Sequence, residues 1–266
     1  MFDVHTHLTD EGIFQDLEGN LRRAREAGVR RFLIPAYSPL FWERARDIAE
    51  QNRDVYFAIG VHPLFLDDKE PVGLREALVK HPKCLAVGEV GLDAFLPGSD
   101  LAQQSAWFER EAAFAAEYDK PLVIHCRKAY FELLALLKRQ FQAKPVSFLL
   151  HSCSCSKEQL GPFLEMGAYV SFSGTITRSN ARKAKELALS VPNERVLLET
   201  DSPYIGTDQV RPPLVRPLQV MEVAEAYAEL TGLSLEETEK LTDANAERFF
   251  RLEQTSSSFF ETASRS

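Results

Sequence analysis

The chain has 266 residues, 45% of them hydrophobic and 26% charged, with a net charge of -8. That is globular composition with ample length for a large core, and the acidic balance excludes a general attraction for polyanions, so any nucleic-acid contact has to come from local basic residues or bound metal. No run of eighteen apolar residues occurs, which excludes a membrane-spanning helix.

The first stretch is Phe2-Asp3-Val4-His5-Thr6-His7. It reads as a short buried strand in which alternation puts Asp3, His5 and His7 on one side. Seven further apolar, β-branched-rich runs follow, at 30–37, 55–61, 84–90, 121–126, 146–151, 168–173 and 195–200. Near-continuous apolar runs, as opposed to strict alternation, suit strands buried on both faces.

Helical patterns fill the gaps. They cover 39–52, 101–118 (Trp107, Phe108, Phe114, Ala115 and Tyr118 near one stripe), 129–140 (Phe131, Leu134, Leu137, with Phe141 beyond), 156–166 and 180–190. Residues 217–230 place Val220, Val223, Ala224 and Tyr227 at i, i+3, i+4 and i+7, and 234–252 opens on the capping pattern Ser234-x-x-Glu237. Strand–helix units repeated eight times predict an α/β chain folded as a (β/α)8 TIM barrel, of a size that usually needs about 250 residues. The expected organisation is a single barrel domain over 1–252 with a Ser/Thr-rich tail over 253–266. The chain opens without a basic and then apolar leader, which predicts a cytoplasmic setting with reduced cysteines. Cys153-x-Cys155 lacks zinc-knuckle spacing and reads as small strand-end packing, with an accessory metal role as the other reading.

The residues able to hold metal or protons fall at the C-terminal ends of the runs. These are His5 and His7, then His62, then Glu89 and Asp93, then His125 with Arg127, then His151, then Glu199 and Asp201. Active sites of such barrels are built at that rim. Five of the six histidines lie there; only His81 falls in a helix-to-strand connection. The set suits two divalent ions, Zn, Mn or Mg, with the histidine share favouring Zn or Mn. His5, His7 and Asp201 could hold one, and His125 and His151 the other. Glu89 could bridge, because ions about 3.5–4 Å apart share an anion. Asp201 could also take the proton of an attacking water.

These residues stand in motifs that resemble, in order and over roughly 2–250, the TatD family of metal-dependent deoxyribonucleases among the amidohydrolase-like barrels. Asp3-x-His5-x-His7-Leu8, Gly60-Val61-His62-Pro63, Gly88-Glu89-x-Gly91-Leu92-Asp93, His125-x-Arg127-x-Ala129 and Leu198-Glu199-Thr200-Asp201-Ser202-Pro203-Tyr204 carry the resemblance. It implies that His5, His7, Glu89, His125, His151 and Asp201 carry the metals, that His62 sits beside them, and that the reaction is phosphodiester hydrolysis at DNA ends in the cytoplasm. Glu89, Asp201 and His62 are then the expected catalytic residues, and Arg127 and His62 the expected substrate contacts. The chain departs from the family at Ser152-Cys153-Ser154-Cys155, where an aromatic and Ser-Gly are usual. It departs again at Arg211-Pro212-Pro213-Leu214-Val215-Arg216-Pro217, where Val215 and Arg216 replace an Asn-Glu pair. Both departures bear on substrate choice. The expected partners are DNA or RNA ends, with Lys128, Arg178, Arg211 and Arg216 as further phosphate contacts, no membrane and no obligate protein partner. A hydrolase of a small ester or amide, such as an aminoacyl ester, and a non-catalytic metal-binding barrel are the alternatives; salt sensitivity separates a polyanionic substrate from a neutral one.

Overall fold

The computed structural model of the protein describes residues 1–95 and 98–252. The expected tail, 253–266, lies outside them. Strands and helices alternate as β1 (Phe2–Asp3), α1 (Glu11–Phe14), α2 (Leu17–Glu26), β2 (Arg31–Ala36), α3 (Pro39–Gln51), β3 (Val55–Ile59), α4 (Leu74–Val79) and β4 (Cys84–Asp93). The second half runs α5 (Leu101–Glu117), β5 (Leu122–Arg127), α6 (Tyr130–Ala143), β6 (Phe148–Leu150), α7 (Lys157–Glu165), β7 (Tyr169–Phe172), α8 (Arg182–Ala188), β8 (Val196–Leu198), α9 (Val220–Thr231) and α10 (Leu235–Phe250). The strands pair in sequence order, each parallel to the next. The ring closes between its ends: Val4 N–H donates to the Leu198 carbonyl at 3.3 Å, Asp201 N–H to that of His5 at 2.9 Å and His7 N–H to that of Ser202 at 3.0 Å. This is a (β/α)8 barrel. No helix of the described residues is long and apolar enough to cross a membrane.

Period-two alternation divides the core. Leu33, Val123, Leu149 and Leu197 belong to a cluster with Phe2, Val4, Phe249 and Phe250. Their neighbours Phe32, Ile34, Leu122, Ile124, Phe148, Leu150, Val196 and Leu198 belong to the larger layer under the helices. The inner set fills the barrel, and α10 closes its lower end with two phenylalanines. Continuing the inner parity up β5, β6 and β8 leads from Val123 to His125, from Leu149 to His151, and from Leu197 through Glu199 to Asp201. The core that stabilises the barrel thus aims the polar residues above it.

Local signals start the helices. Ser38 accepts the Leu40 N–H ahead of Pro39, Asp100 accepts those of Ala102 and Gln103, and Ser156 and Ser234 close capping boxes with Gln159 and Glu237. Three details differ from the sequence reading. First, β1 keeps its ladder only over Phe2–Asp3, because Phe2 and Val4 both sink into the inner cluster and the strand bends after them. Asp3 consequently accepts Thr200 N–H (2.9 Å) and Oγ1 (2.7 Å). Second, α2 and α4 are helices that amphipathic pattern did not mark: Gly19 and Asn20 interrupt one, and the other, six residues long, follows a left-handed Gly73 without a side-chain cap. Third, the apolar stripe of α6 runs through Tyr130, Leu133, Leu136 and Leu137, leaving Phe131 72% exposed.

Candidate metal centre

Glu89 is the hub. Its Oε1 faces His151 Nε2 at 2.9 Å, His125 Nδ1 at 3.2 Å and His62 Nε2 at 3.6 Å. Its Oε2 faces His5 Nε2 at 3.3 Å and His7 Nε2 at 3.9 Å. One carboxylate oxygen therefore faces three histidines and the other faces two. Asp201 Oδ1 completes the second group, 3.1 Å from His7 Nε2 and 3.9 Å from His5 Nε2. The bend in β1 changes its ladder, yet His5 and His7 still converge. All six predicted ligands lie in one cluster, and His5, His7, Glu89, His151 and Asp201 are buried.

The backbone that delivers them is tight. Gly91 pairs with His125 across β4 and β5. Its φ is +149°, and a Cβ there would lie 1.8 Å from the His125 carbonyl oxygen. Only glycine fits so close to a ligand strand. Lys128, Ser152 and Asp201, each at the end of a ligand strand, have φ of 57°, 41° and 48°. Such left-handed non-glycine residues concentrate where a side chain has to be held at a set angle.

The electrostatics call for positive charge. Burial opposes the charged form of His151, yet Glu89 and Glu199 on either side outweigh it and hold its pKa well above the usual histidine value. The same contest raises His7, through Asp201, and His125, through Asp93 and Glu89. Burial would lift the Glu89 carboxyl, but the surrounding imidazoles hold it far below the usual carboxylate range; Asp201 is likewise held down, by His7 above all. His5 goes the other way: burial, and then His151, lower its pKa. Its ring stacks on that of His151 at 3.9 Å, and neither of its nitrogens has a hydrogen-bond partner. A fully buried imidazole with two orphaned nitrogens is costly unless something else fills its lone pair. A divalent cation does so, and the spacing fits. Ligand atoms about 2.1 Å from a tetrahedral ion stand about 3.4 Å apart, and His125 Nδ1 and His151 Nε2 are 3.4 Å apart.

Two carboxylates behind the histidines fix which nitrogen looks inward. Asp93 Oδ2 takes His125 Nε2 at 3.1 Å, and Glu199 Oε1 takes His151 Nδ1 at 3.3 Å. Ser171 Oγ donates to Glu199 Oε2 at 2.5 Å. This carboxylate–histidine arrangement orients a ligand ring and raises its basicity. His62 differs. Its Nδ1 accepts the Leu64 N–H at 3.1 Å, so the neutral ring, with its pKa driven down to about 3 by burial, carries its proton on Nε2 toward Glu89. That makes it a donor beside the cluster.

The TatD-related DNase family profile matches residues 2–251. The chain belongs to that family. The uncharacterized metal-dependent hydrolase YabD of Bacillus subtilis is 34% identical over 95% of this chain and 99% of its own length. The 3'-5' ssDNA/RNA exonuclease TatD of Erwinia tasmaniensis is 32% identical over 95% and 100%. The crystal structure of YJJV, a TatD homologue from Escherichia coli, superposes with a TM-score of 0.87 at 29% identity, covering 94% of this chain and 98% of that one. This TatD-family chain is a metal-dependent hydrolase.

The predicted phosphate contacts divide. Arg127 is exposed, its guanidinium 3.8 Å over the ring of Phe95, with Lys128 Nζ 4.9 Å from the same ring. Arg211 is also exposed. Arg178 is spent on the Gly206 carbonyl at 2.8 Å, and Arg216 on those of Pro213, Val215 and Gly12. Val215 is wholly buried, so the residue at this departure packs the loop and does not line it. His81 pairs with Glu50 away from the centre, as its position in the chain implies. Sequence reasoning placed Asp93 and Glu199 at strand ends without seeing them as supports. It did not single out Asp10, which accepts from Tyr37 Oη at 2.9 Å and from Tyr204 Oη; both tyrosine rings stand edge-on to His7.

Proposed function

We propose that the protein is a two-metal phosphodiesterase that removes nucleotides from the ends of single-stranded DNA or RNA. The observation that carries this reading is the division of Glu89, with one oxygen on His125 and His151 and the other on His5 and His7. A shared carboxylate is what two close cations need. Zinc or manganese suits the histidine-rich set better than magnesium. Such ions would supply Lewis-acid chemistry, polarising a phosphoryl oxygen and acidifying a nearby water. The chain's own groups do the rest. Asp201 would accept the attacking water's proton. His62 Nε2–H can donate to a phosphoryl or leaving oxygen. Asp93 and Glu199 keep the histidine rings aimed.

Substrate class follows from the rim. A chain of charge -8 repels DNA as a whole, but two divalent ions add about +4 locally, and surface carboxylates beyond roughly 8–10 Å are screened. Arg127 offers a fork for phosphate. Tyr204, 52% exposed, offers a ring against which an unpaired base can stack, and Phe95, 51% exposed, holds Arg127 over one of its faces. Digestion of end-labelled single- and double-stranded oligonucleotides with Mg, Mn or Zn, with chelator as control, tests this reading. Metal-dependent shortening from one end, faster on single strands and steeply weakened by salt, is expected. No digestion with any metal, beside rapid hydrolysis of a small activated ester, would transfer the same centre to a neutral substrate.

Arg127→Ala is expected to raise KM for an oligonucleotide about tenfold or more, the value of a charge-assisted phosphate contact of about 1.5–3 kcal/mol. Bound metal should be unchanged, and Arg127→Lys, which keeps charge without the fork, should recover only part of the loss. Metal loss in Arg127→Ala would place its role in the centre itself and refute the phosphate assignment.

A further inference from the structure

The Cys153-x-Cys155 pair packs in the core, as read from sequence. The two Sγ atoms lie 3.4 Å apart, and both thiols are free. They are only 6% and 9% exposed, yet they line a cavity of about 860 Å³ between the loop after β6 and the β7–α8 segment. Ser152, Ser154, Ser173 and Thr175 share its wall, so a small polar oxidant has access. The segment 152–156 belongs to no helix or strand, which leaves its backbone free to adjust.

The effect of moving this loop depends on its anchors. Cys153 N–H donates to the Ser171 carbonyl at 3.2 Å, and Ser152 N–H to Ser171 Oγ at 3.3 Å. That same Oγ donates to Glu199, which holds His151 Nδ1. Ser152 also bonds Ser173 through its hydroxyl at 2.9 Å. The dithiol loop and the support of His151 therefore meet at one serine.

We propose that Cys153 and Cys155 are a modification site for hydroperoxides, closing to a reversible disulfide that loosens metal held by His151. The second half rests on the reading of His151 as a ligand. In the reaction one thiolate sulfur attacks a peroxide oxygen; the O–O bond breaks and the first water leaves, giving a sulfenic acid. The second sulfur attacks that sulfur, the S–O bond breaks, the S–S bond forms and a second water leaves. Two thiols lose two electrons and two protons, and one hydrogen peroxide becomes two waters. Closing the gap from 3.4 Å to about 2.05 Å draws the loop inward by about 1.3 Å. The pull falls on Ser171, and support residues of this kind are worth about 10- to 100-fold in metal affinity.

Zinc-loaded protein treated with hydrogen peroxide and then alkylated tests both halves. Expected are a loss of 2 Da, a single peptide linking Cys153 to Cys155, reversal by dithiothreitol, and at least tenfold easier zinc release to a competing chelator. Cys84, buried with its thiol pushed up to about 12, is the internal control and should stay reduced. Cys155→Ser should hold zinc like the parent while reduced and lose the peroxide effect on zinc. A link to Cys126, oxidation without a link, a disulfide that leaves zinc release unchanged, or a Cys155→Ser protein as sensitive as the parent would each overturn the proposal. Reduced protein that binds no zinc, manganese or magnesium would instead sink the reading of the centre, and the proposal with it.

Discussion

Glu89→Gln is expected to release about one metal equivalent per chain and to lower the hydrolytic rate by several orders of magnitude. The side chain keeps its shape, so the fold should survive. The loss has two sources. A neutral amide offers one oxygen acceptor where the carboxylate offers two, so one of the two histidine groups loses its anion. The amide NH2 then points at imidazole nitrogens that need an acceptor or a cation. Glu89 is buried among five histidines, so its charge is little screened and its removal is felt in full. Metal analysis after gel filtration, with turnover on an activated phosphodiester, reads both effects. Full metal content with parental activity would remove Glu89 from its bridging role.

Gly91→Ala is expected to cost the fold about 3 kcal/mol or more. Overpacking in a dense core costs about 1–3 kcal/mol, and a left-handed backbone angle on an L-residue about 1–2 kcal/mol further. The new methyl would meet the His125 carbonyl, which is backbone and cannot swing away. Strand β5 has to retreat and carries His125 off Glu89, so metal should weaken alongside stability. Gly161, inside α7 with nothing near its added Cβ, is the contrasting site. There the usual helix gain of about 0.5–1 kcal/mol from alanine is offset by the ring of Pro162, which crowds a Cβ on the residue before it, so a net change within about 1 kcal/mol is expected. Urea midpoints for the two variants give the comparison. A Gly91→Ala protein within about 1 kcal/mol of the parent would mean that β4 and β5 part more easily than their pairing implies.

The barrel was legible because its strands are buried on both faces and its helices carry stripes and caps. On β5, β6 and β8 the alternation that fills the interior also points His125, His151 and Asp201, so sequence carried the direction of these candidate ligands. On β1 alternation alone was misleading: Phe2 and Val4 go inward, and the bend beyond them, not an unbroken strand, brings His5 and His7 together. Asp93 and Glu199 stood at the right strand ends, but their service to His125 and His151 joins different strands and needs three dimensions. The arginines show a further limit. Charge in a loop is the same letter whether the guanidinium lies exposed over a ring, as that of Arg127 does over Phe95, or is tied to carbonyls, as Arg178 and Arg216 are. The helix α2 escaped because Gly19 and Asn20 sit where a periodic reading asks for helix formers.

The closure of the ring between its first and last strands gives the two halves of the centre different histories during synthesis. Glu89, His125 and His151 come from three consecutive strands and can assemble as soon as β6 has left the ribosome. His7 and Asp201 are separated by 194 residues, which take about 10–40 s to translate at roughly 5–20 residues per second. Until then the His5–His7 pair has Glu89 Oε2 from β4 but no carboxylate from β8, so its group stays one acidic residue short. The order of chain growth thus brings the Glu89–His125–His151 group together first. The same seam, held by a few bonds around Thr6 and Ser202, is where a breathing barrel would part Asp201 from His5 and His7.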